Sequence, residues 1–558
     1  MKTTSIIFIF IISVFNTLVT QAQNNPDFFL DSNGVTCMCP NANFGDTGEL
    51  TIDGEQKVFT KRTNQELTNL IFNDDSDPQI ALTCTSGITD MSDLFFFRID
   101  FNQNLEHWDV SQVVNMNQMF QAAISFNQPL DNWDVSSVLD MRGMFYEATS
   151  FDQDLSMWSF NQDISLGDFI GNTAISNQNY DNLLQSFDNQ NLVDLGLTAY
   201  GIGYCDATTR NNLINNKGWE IRGDLEGQCG QVFTPSTNPF VTTWNVSQND
   251  LSVNIFTIKA YDYDFTIDWG DGQSDQNVTS DITHNYANPG IYTVNITGIF
   301  PYFKNCEVAV GPEYLVCQNN NKLISVNSWG DQEWRAMMGS FRDAESMMFN
   351  TTQAPEFVNV KSLNSTFSGA SSFNQSINNW DVSQVKDMTG AFNGAANFNQ
   401  PLDNWDVSQV TTMNFMFFNA VNFNQSLNDW DVSQVTTMFS MFDNAANFNQ
   451  PLNSWDVSNV VDMNGMFQSF AGSMAFNQPL NNWDVSNVVV MDRMFLNAGA
   501  FNQPLDNWDV SNVNFMSFMF KDTFMFNQDI SMWCVEQITQ EPTGFAENSA
   551  LQGNYFPD

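Results

Sequence analysis

Histidine is almost missing from this chain: 558 residues contain two, His107 and His284. A Ser–His–Asp triad or a His-rich zinc site would have to be assembled from that pair, which argues against both chemistries. Basic residues are also scarce. Lys and Arg together number 18 against 63 Asp and Glu, a net charge of −45. Such a chain is repelled by nucleic acid and by anionic membrane surfaces, so neither is expected as a partner. The charge predicts solubility, with a cation or a basic partner as the functional alternative. Beyond the first residues no apolar run is long enough to span a bilayer, so no membrane insertion is expected. Cysteine is absent from 85–204 and from 318–533. Apolar material is not lacking: 42% of residues are hydrophobic and 14% aromatic, ample for a core.

That material is arranged in a repeat. FNQPLDNWDVSQVTTMNFMFFNA at 398–420 has a close copy, FNQPLDNWDVSSVLDMRGMFYEA, at 126–148. Tryptophans mark the step: Trp108, Trp133 and Trp158, then Trp380, Trp405, Trp430, Trp455, Trp483, Trp508 and Trp533. Within each group the step is 25 residues, except Trp455 to Trp483, which is 28. The extra three residues fall at 468–475. A fixed period of this length predicts a solenoid, in which each unit supplies a wall for the next.

Two periodicities share each unit. Trp405 and Val407 alternate with Asp406 and Ser408, which predicts a short half-buried strand. Met413, Met416, Phe417 and Ala420 then fall at i, i+3, i+4 and i+7, which predicts a helix with Ser408 as its N-cap. The Met and Phe side chains of that face are expected in the core. The predicted fold class is therefore an α/β solenoid, leucine-rich-repeat-like, with strand plus helix in each 25-residue coil.

Stacked coils put identical side chains in columns about 4.8 Å apart. Phe373, Phe398, Phe423, Phe448, Phe476, Phe501 and Phe526 should form one inside. Asn374, Asn399, Asn424, Asn449, Asn477, Asn502 and Asn527 should form another, bonded from coil to coil. The Asp after each Trp should form a third, on the face opposite the indoles: Asp109, Asp134, Asp381, Asp406, Asp431, Asp456, Asp484 and Asp509. Like charges at that spacing repel by roughly 1 kcal/mol even in water. Each Asp therefore either accepts local hydrogen bonds, as Asp406 would from Ser408, or helps form a calcium-binding stripe. Asp381, Asp406, Asp431, Asp456, Asp484 and Asp509 are the candidate metal residues. No other metal, cofactor or catalytic residue is expected.

The pattern FNQPLxxWDVSxVxxMxxMFxxA resembles that of BspA-like leucine-rich repeat surface proteins, over roughly two thirds of the chain. The resemblance implies a secreted or cell-surface protein engaged in adhesion or recognition, without naming a ligand. It also implies roles for two flanking segments. NYDNLL at 179 and NKGW at 216 are similar to segments that terminate such arrays. NSWGDQEWRAMMGSFRD at 327–343 resembles a segment that opens one. Between these, DWGDG at 268, HNY at 284 and PGIYTV at 289 resemble the PKD domain. That resemblance implies an all-β immunoglobulin-like sandwich, serving as spacer or interaction module, with Trp269, Tyr292 and Val294 in its core.

The expected organisation is a signal peptide at 1–22, an N-terminal cap at 24–87 and array one at 88–171. A capping region with helices follows at 172–230, then the PKD-like sandwich at 231–305, array two with its opening segment at 306–534, and an end cap at 535–558. In the N-terminal cap a hairpin is expected around 48–59 and a helix around 65–72. Thr-Pro-Ser-Thr-Asn-Pro at 234–239 is a linker by composition. The signal peptide has Lys2, an apolar run over 6–14 and Thr-Gln-Ala before its end, which predicts secretion. No C-terminal anchoring signal is expected. Secretion makes the eight cysteines disulfide candidates. Proximity suggests Cys205 with Cys229, Cys306 with Cys317, and Cys84 with either Cys39 or Cys37.

The expected function is a non-enzymatic recognition or adhesion protein whose partner is a protein or glycan at a cell or host surface. An extracellular polysaccharide-binding module is the alternative. A carboxylate-based glycoside hydrolase is a further, weaker one, because a repeat gives every carboxylate the same environment whereas that chemistry needs two different ones.

Overall fold

The computed structural model describes residues 25–52, 54–230, 233–305, 319, 321–470, 474–555 and 557. The expected signal peptide and Cys306 and Cys317 lie outside the described residues. The chain divides into two compact units, Met1–Asp224 and Leu225–Asp558.

Unit one opens with the cap. Strands β1 (Phe29–Leu30) and β2 (Cys37–Met38) pair antiparallel. Strands β3 (Thr47–Ile52) and β4 (Glu55–Lys61) form the expected hairpin, and β5 (Thr83–Cys84) adds parallel to β4. Helix α1 (Asn64–Asn73) starts at a reciprocal capping box between Thr63 and Glu66 and buries Leu67 and Ile71. Cys84 is bonded to Cys39, while Cys37 is a buried free thiol.

The coils that follow are bonded to each other at the repeat step. Parallel bridges run Asp90–Asn115–Asp140–Ser165 in unit one. In unit two they run Ser362–Asp387–Thr412–Thr437–Asp462–Val490–Phe515. They sit just before the methionines and not at Trp405–Val407. In that stretch Trp405 and Val407 are buried and Asp406 is exposed as expected, but it joins no strand ladder.

The helix expected over 413–420 does not form. Met413, Phe415, Phe417 and Asn419 donate their N–H groups to Thr437, Phe439, Met441 and Asp443 of the next coil, at 2.8–3.2 Å. Met416, Phe418 and Ala420 donate back three residues, to Met413, Phe415 and Phe417. The segment is thus a ribbon of tight turns whose alternate amides bond across coils. Phe415 and Asn419 sit at φ 55° each, in left-handed conformation, which a right-handed helix excludes. Its apolar spacing still buries Met413, Met416, Phe417 and Ala420 completely. A helix would satisfy these amides internally; the ribbon satisfies them from the adjoining coil while packing the same four side chains inward. With no helix to cap, Ser408 instead donates its N–H to Asp406.

Helices appear where unit one's repeat ends. Helix α2 (Asn177–Asn189), capped by Ser176, buries Tyr180, Leu183, Leu184 and Phe187. Strand β6 (Gly196–Thr198) pairs parallel with β8 (Glu220–Arg222), past the short strand β7 (Gly203–Tyr204). Helix α3 (Ala207–Lys217) runs from its N-cap Asp206 to Gly218, which ends it at φ 69°. Arg210 grips Asp224 with two 2.6 Å bonds beneath this cap. Cys205 and Cys229 are each disulfide-bonded.

Unit two begins at β9 (Leu225–Glu226) and builds two sheets. The larger contains β10 (Ser236–Val246), β12 (Asp264–Asp268), β13 (Ser274–Val278), β15 (Gly290–Ile299), β16 (Leu323–Ser328) and β17 (Met348–Phe349), in the order β13-β12-β15-β10-β16-β17. The smaller pairs β11 (Ser252–Ile255) with β14 (Ile282–Asn285). Trp269 and Val294 are fully buried, and Tyr292 stacks at 3.9 Å on Tyr286.

Two boundaries differ from expectation. Residues 236–239 of the expected linker begin β10, where Thr237 and Asn238 are held through their N–H groups by Asp331 at 2.9 and 2.8 Å. Strand β16 lies beyond residue 305 yet pairs with β10, and β17 then pairs parallel with β16. The sheet therefore runs into the first coils of array two, and one continuous core extends from Leu225 to Phe545. The chain ends in a last partial coil, where Phe518, Phe520 and Asp522 donate to Thr543, Phe545 and Glu547, and a 3-10 turn at Gly553–Tyr555. Cys534 is an exposed free thiol.

Candidate functional site: the outward columns of the repeat

The inward columns define what is left for the outside. Every repeat indole points in, and from Trp405 onward each donates its N–H to a carbonyl of the preceding coil: Trp405 to Ile377, Trp430 to Leu402 and Trp455 to Leu427, at 2.8–3.1 Å. Trp219 does the same to Leu192 inside the cap, so the cap's last turn is built as a modified coil. The expected phenylalanine column forms, with Phe373, Phe398, Phe423 and Phe448 stacked 5.9–6.0 Å apart. A second column, Phe367, Phe392, Phe417 and Phe442, stacks beside it at 5.5 Å. Tryptophan is therefore not offered to a ligand.

The aspartate column faces solvent and is bonded locally. Asp381, Asp406, Asp431, Asp456, Asp484 and Asp509 each accept the N–H of the Ser two residues on, at 3.0–3.1 Å. Asp381 and Asp456 also take the Ser hydroxyl, at 2.7 and 2.6 Å. The serine bonds hold the carboxyls of Asp431 and Asp509 below the usual range. Among the described residues no group of three or more His, Cys, Asp or Glu is placed to hold a metal ion. Asp109 differs from the rest: it is buried under the N-terminal cap and accepts the hydroxyl of Ser86 at 2.6 Å.

Both histidines have neighbours that fix them. His107 lies 3.2 Å from Lys57 Nζ and edge-on to Phe59. His284 lies 3.0 Å from Asp271 and stacks on Trp269 at 4.7 Å.

The asparagine column forms on the FNQ segment. Asn374 Oδ1 accepts the N–H of Asn399 and Nε2 of Gln400, at 2.9 and 3.0 Å. Asn399 does the same for Asn424 and Gln425, and the pattern continues to Asn527. Two residues earlier lies a second amide column that the sequence reading missed. Asn422 donates to Asn397 at 3.1 Å, and Asn447 to Asn422 at 3.2 Å. The two columns line a groove of about 510 Å³ with Ser372, Asn374, Asn397, Asn399, Asn422 and Asn447. The signal was in the sequence: ANFNQ and VNFNQ at 396–400 and 421–425 against MAFNQ and GAFNQ at 474–478 and 499–503.

Residues 65–183, 335–453, 403–470 and 448–556 match the family described as Mycoplasma protein of unknown function, DUF285. Together these segments span more than half of the chain. The chain belongs to the DUF285 family. No curated protein and no solved structure matches it. The DUF285 matches overlay the coils, and they leave 184–334 uncovered, the stretch with α3 and most strands of unit two's sheets.

Within the DUF285 repeats one carboxyl stands apart. Asp443 is buried just before the coil with the three extra residues, accepting Gln468 Nε2 at 3.2 Å and Ser440 Oγ at 3.3 Å. Its Oδ1 has no partner, and neither does the buried Ser469 Oγ. Burial pushes its pKa up to about 7 against the opposing Ser440 bond.

Proposed function

We propose that this DUF285 chain is a secreted, non-enzymatic recognition protein. The observation that carries the reading is the division of every coil. The repeated Trp, Met and Phe of the WDV and MxxMF positions face inward, so the outward Asp and Asn columns are free of the core-packing task and recur along the coils. Bonding between coils at the 25-residue step supports a solenoid as the fold class, with a ribbon in place of the helix. Likeness of the repeat to BspA-like surface proteins, and of 268–294 to the PKD domain, supports a cell-surface or extracellular role. The Cys39–Cys84 disulfide fits an oxidising compartment. The partner is a protein or glycan on a surface.

The test is capture from cell-surface extracts by the immobilised full chain, alongside a glycan array. Capture of a defined ligand supports the reading; hydrolysis of any arrayed glycan overturns its non-enzymatic part. The second reading, a polysaccharide-binding module, is favoured by one feature, the amide-lined groove.

A further inference from the structure

We infer that the groove over Ser372, Asn374, Asn397, Asn399, Asn422 and Asn447 binds an extended, uncharged polysaccharide segment laid across successive coils. The inference rests on the recognition reading and gives it a site and a ligand class.

Of the two amide columns, the fold requires only one. The column of Asn374, Asn399 and Asn424 is structural, because its Oδ1 atoms close the coil-to-coil bonding throughout array two. The column of Asn397, Asn422 and Asn447 is not. Ala475, Ala500 and Met525 occupy the same place in later coils, where Phe476, Phe501 and Phe526 remain fully buried and the Asn477–Asn502–Asn527 bonding continues. The array thus contains its own control: the coil forms equally with or without the second amide. Three consecutive coils carry it, and those three form the groove.

The chemistry of the lining selects the ligand. Asn374 and Asn399 line the groove and spend their oxygens on the next coil, which leaves their NH2 groups as the donors they can offer a ligand. Asn397 and Asn422 form a head-to-tail amide chain with Asn447, which leaves spare donors and acceptors along it. The lining is therefore rich in donors, retains acceptors and carries no charge. Sugar hydroxyls, which donate and accept, match it. A peptide strand would need apolar recesses for its side chains, but Phe398 and Phe423 beneath the groove are fully buried. An acidic polysaccharide would meet the field of a chain with net charge −45. Repetition at one-coil spacing suits a polymer over a compact ligand. With no indole available for stacking, affinity rests on hydrogen bonds.

The experiment is calorimetric titration of the full chain with neutral β-1,4-glucan, β-1,3-glucan and mannan hexasaccharides, a hexauronate and an extended polar peptide. At least one neutral hexasaccharide is expected to bind. Replacing Asn397, Asn422 and Asn447 together by Ala should weaken it about a hundredfold, roughly fivefold per lost bond. The melting temperature should hold, since Ala already serves at 475 and 500. Ala475→Asn with Ala500→Asn should lengthen the groove and tighten binding of a longer oligosaccharide of the same sugar. The inference is overturned if no neutral hexasaccharide binds, if the triple variant binds as the parent does, or if the hexauronate or peptide is preferred. A triple variant that still captures the parent's surface ligand in full refutes the groove while leaving the recognition reading standing; a full chain that captures nothing refutes both.

Discussion

Array one and array two are built from the same coil, yet their starting ends are closed by different means. Array one is closed by a small cap in which Phe28, Cys37, Cys39, Ala42, Ile52, Phe59 and Cys84 form a cluster of their own, while Leu67 and Ile71 of α1 and Ile80 join the core of the coils. So few buried side chains hold a fold poorly by themselves, and a disulfide lies among them. Array two is preceded by a two-sheet region whose core is continuous with its own. Trp329 makes that join, 5.9 Å from Phe240 of β10, 5.7 Å from Trp334 and 5.8 Å from Trp380 of the first regular coil. A repeat end exposes an apolar face and open backbone groups, and a repeat protein must cover both. Here one end is covered by a covalently stapled cap and the other by a domain that the repeat grows out of. The two sheets of 236–328 accordingly share one core with array two.

The largest effect is expected from Trp329→Ala. It should cost about 3–5 kcal/mol, as Trp430→Ala should within the coils. The difference lies in what unfolds: with a shared core, the two-sheet region and array two should lose protection together in hydrogen exchange of the Trp329→Ala protein. Loss confined to the two-sheet region would show that the join carries no stability. Next in size is Cys39→Ser with Cys84→Ser, expected to cost about 2–4 kcal/mol. Thermal unfolding should move for unit one and stay in place for unit two; equal shifts in both would end the distinction.

Asp443 gives a smaller, pH-dependent effect inside array two. Its carboxyl titrates at about 7 in the folded protein against 3.8 ordinarily, so the folded state holds the proton more tightly. Stability from this group is fully present below the ordinary value and is lost as pH rises to 7. Asp443→Asn, neutral at every pH, should therefore stabilise array two more at pH 8 than at pH 5, by about 2 kcal/mol. A pH-independent effect in chemical denaturation would show that the carboxyl is not held protonated. The smallest effect is expected for Asp406→Asn with Asp431→Asn and Asp456→Asn. Asn keeps an acceptor for the Ser N–H groups at 408, 433 and 458, so melting should barely change. Calcium should add nothing beyond matched ionic strength. A calcium-specific rise lost in the triple variant would restore the cation stripe.

The sequence by itself determined which side chains face in. Trp, Val, Met and Phe of the repeat are buried where their spacing places them, because burial follows apolar period whatever backbone carries it. It also determined the phenylalanine and asparagine columns, because a constant period aligns like with like, and the cap helices α1, α2 and α3, whose Thr63, Ser176 and Asp206 caps are local signals. The conformation of 413–420 was decided by tertiary structure. Apolar spacing of i, i+3, i+4 and i+7 fits a helix and a ribbon of turns alike, and the choice was made by carbonyls 24 residues away that accept alternate amides. A local hint existed, since Gly390 and Gly394 occupy the left-handed positions that Phe415 and Asn419 fill one coil later. Pairing of β16 with β10 was likewise decided in space, by an edge that composition around 234–239 disguised as linker. The groove belongs to both levels: its asparagines are legible in the chain, but only stacking turns residues 25 apart into one continuous lining.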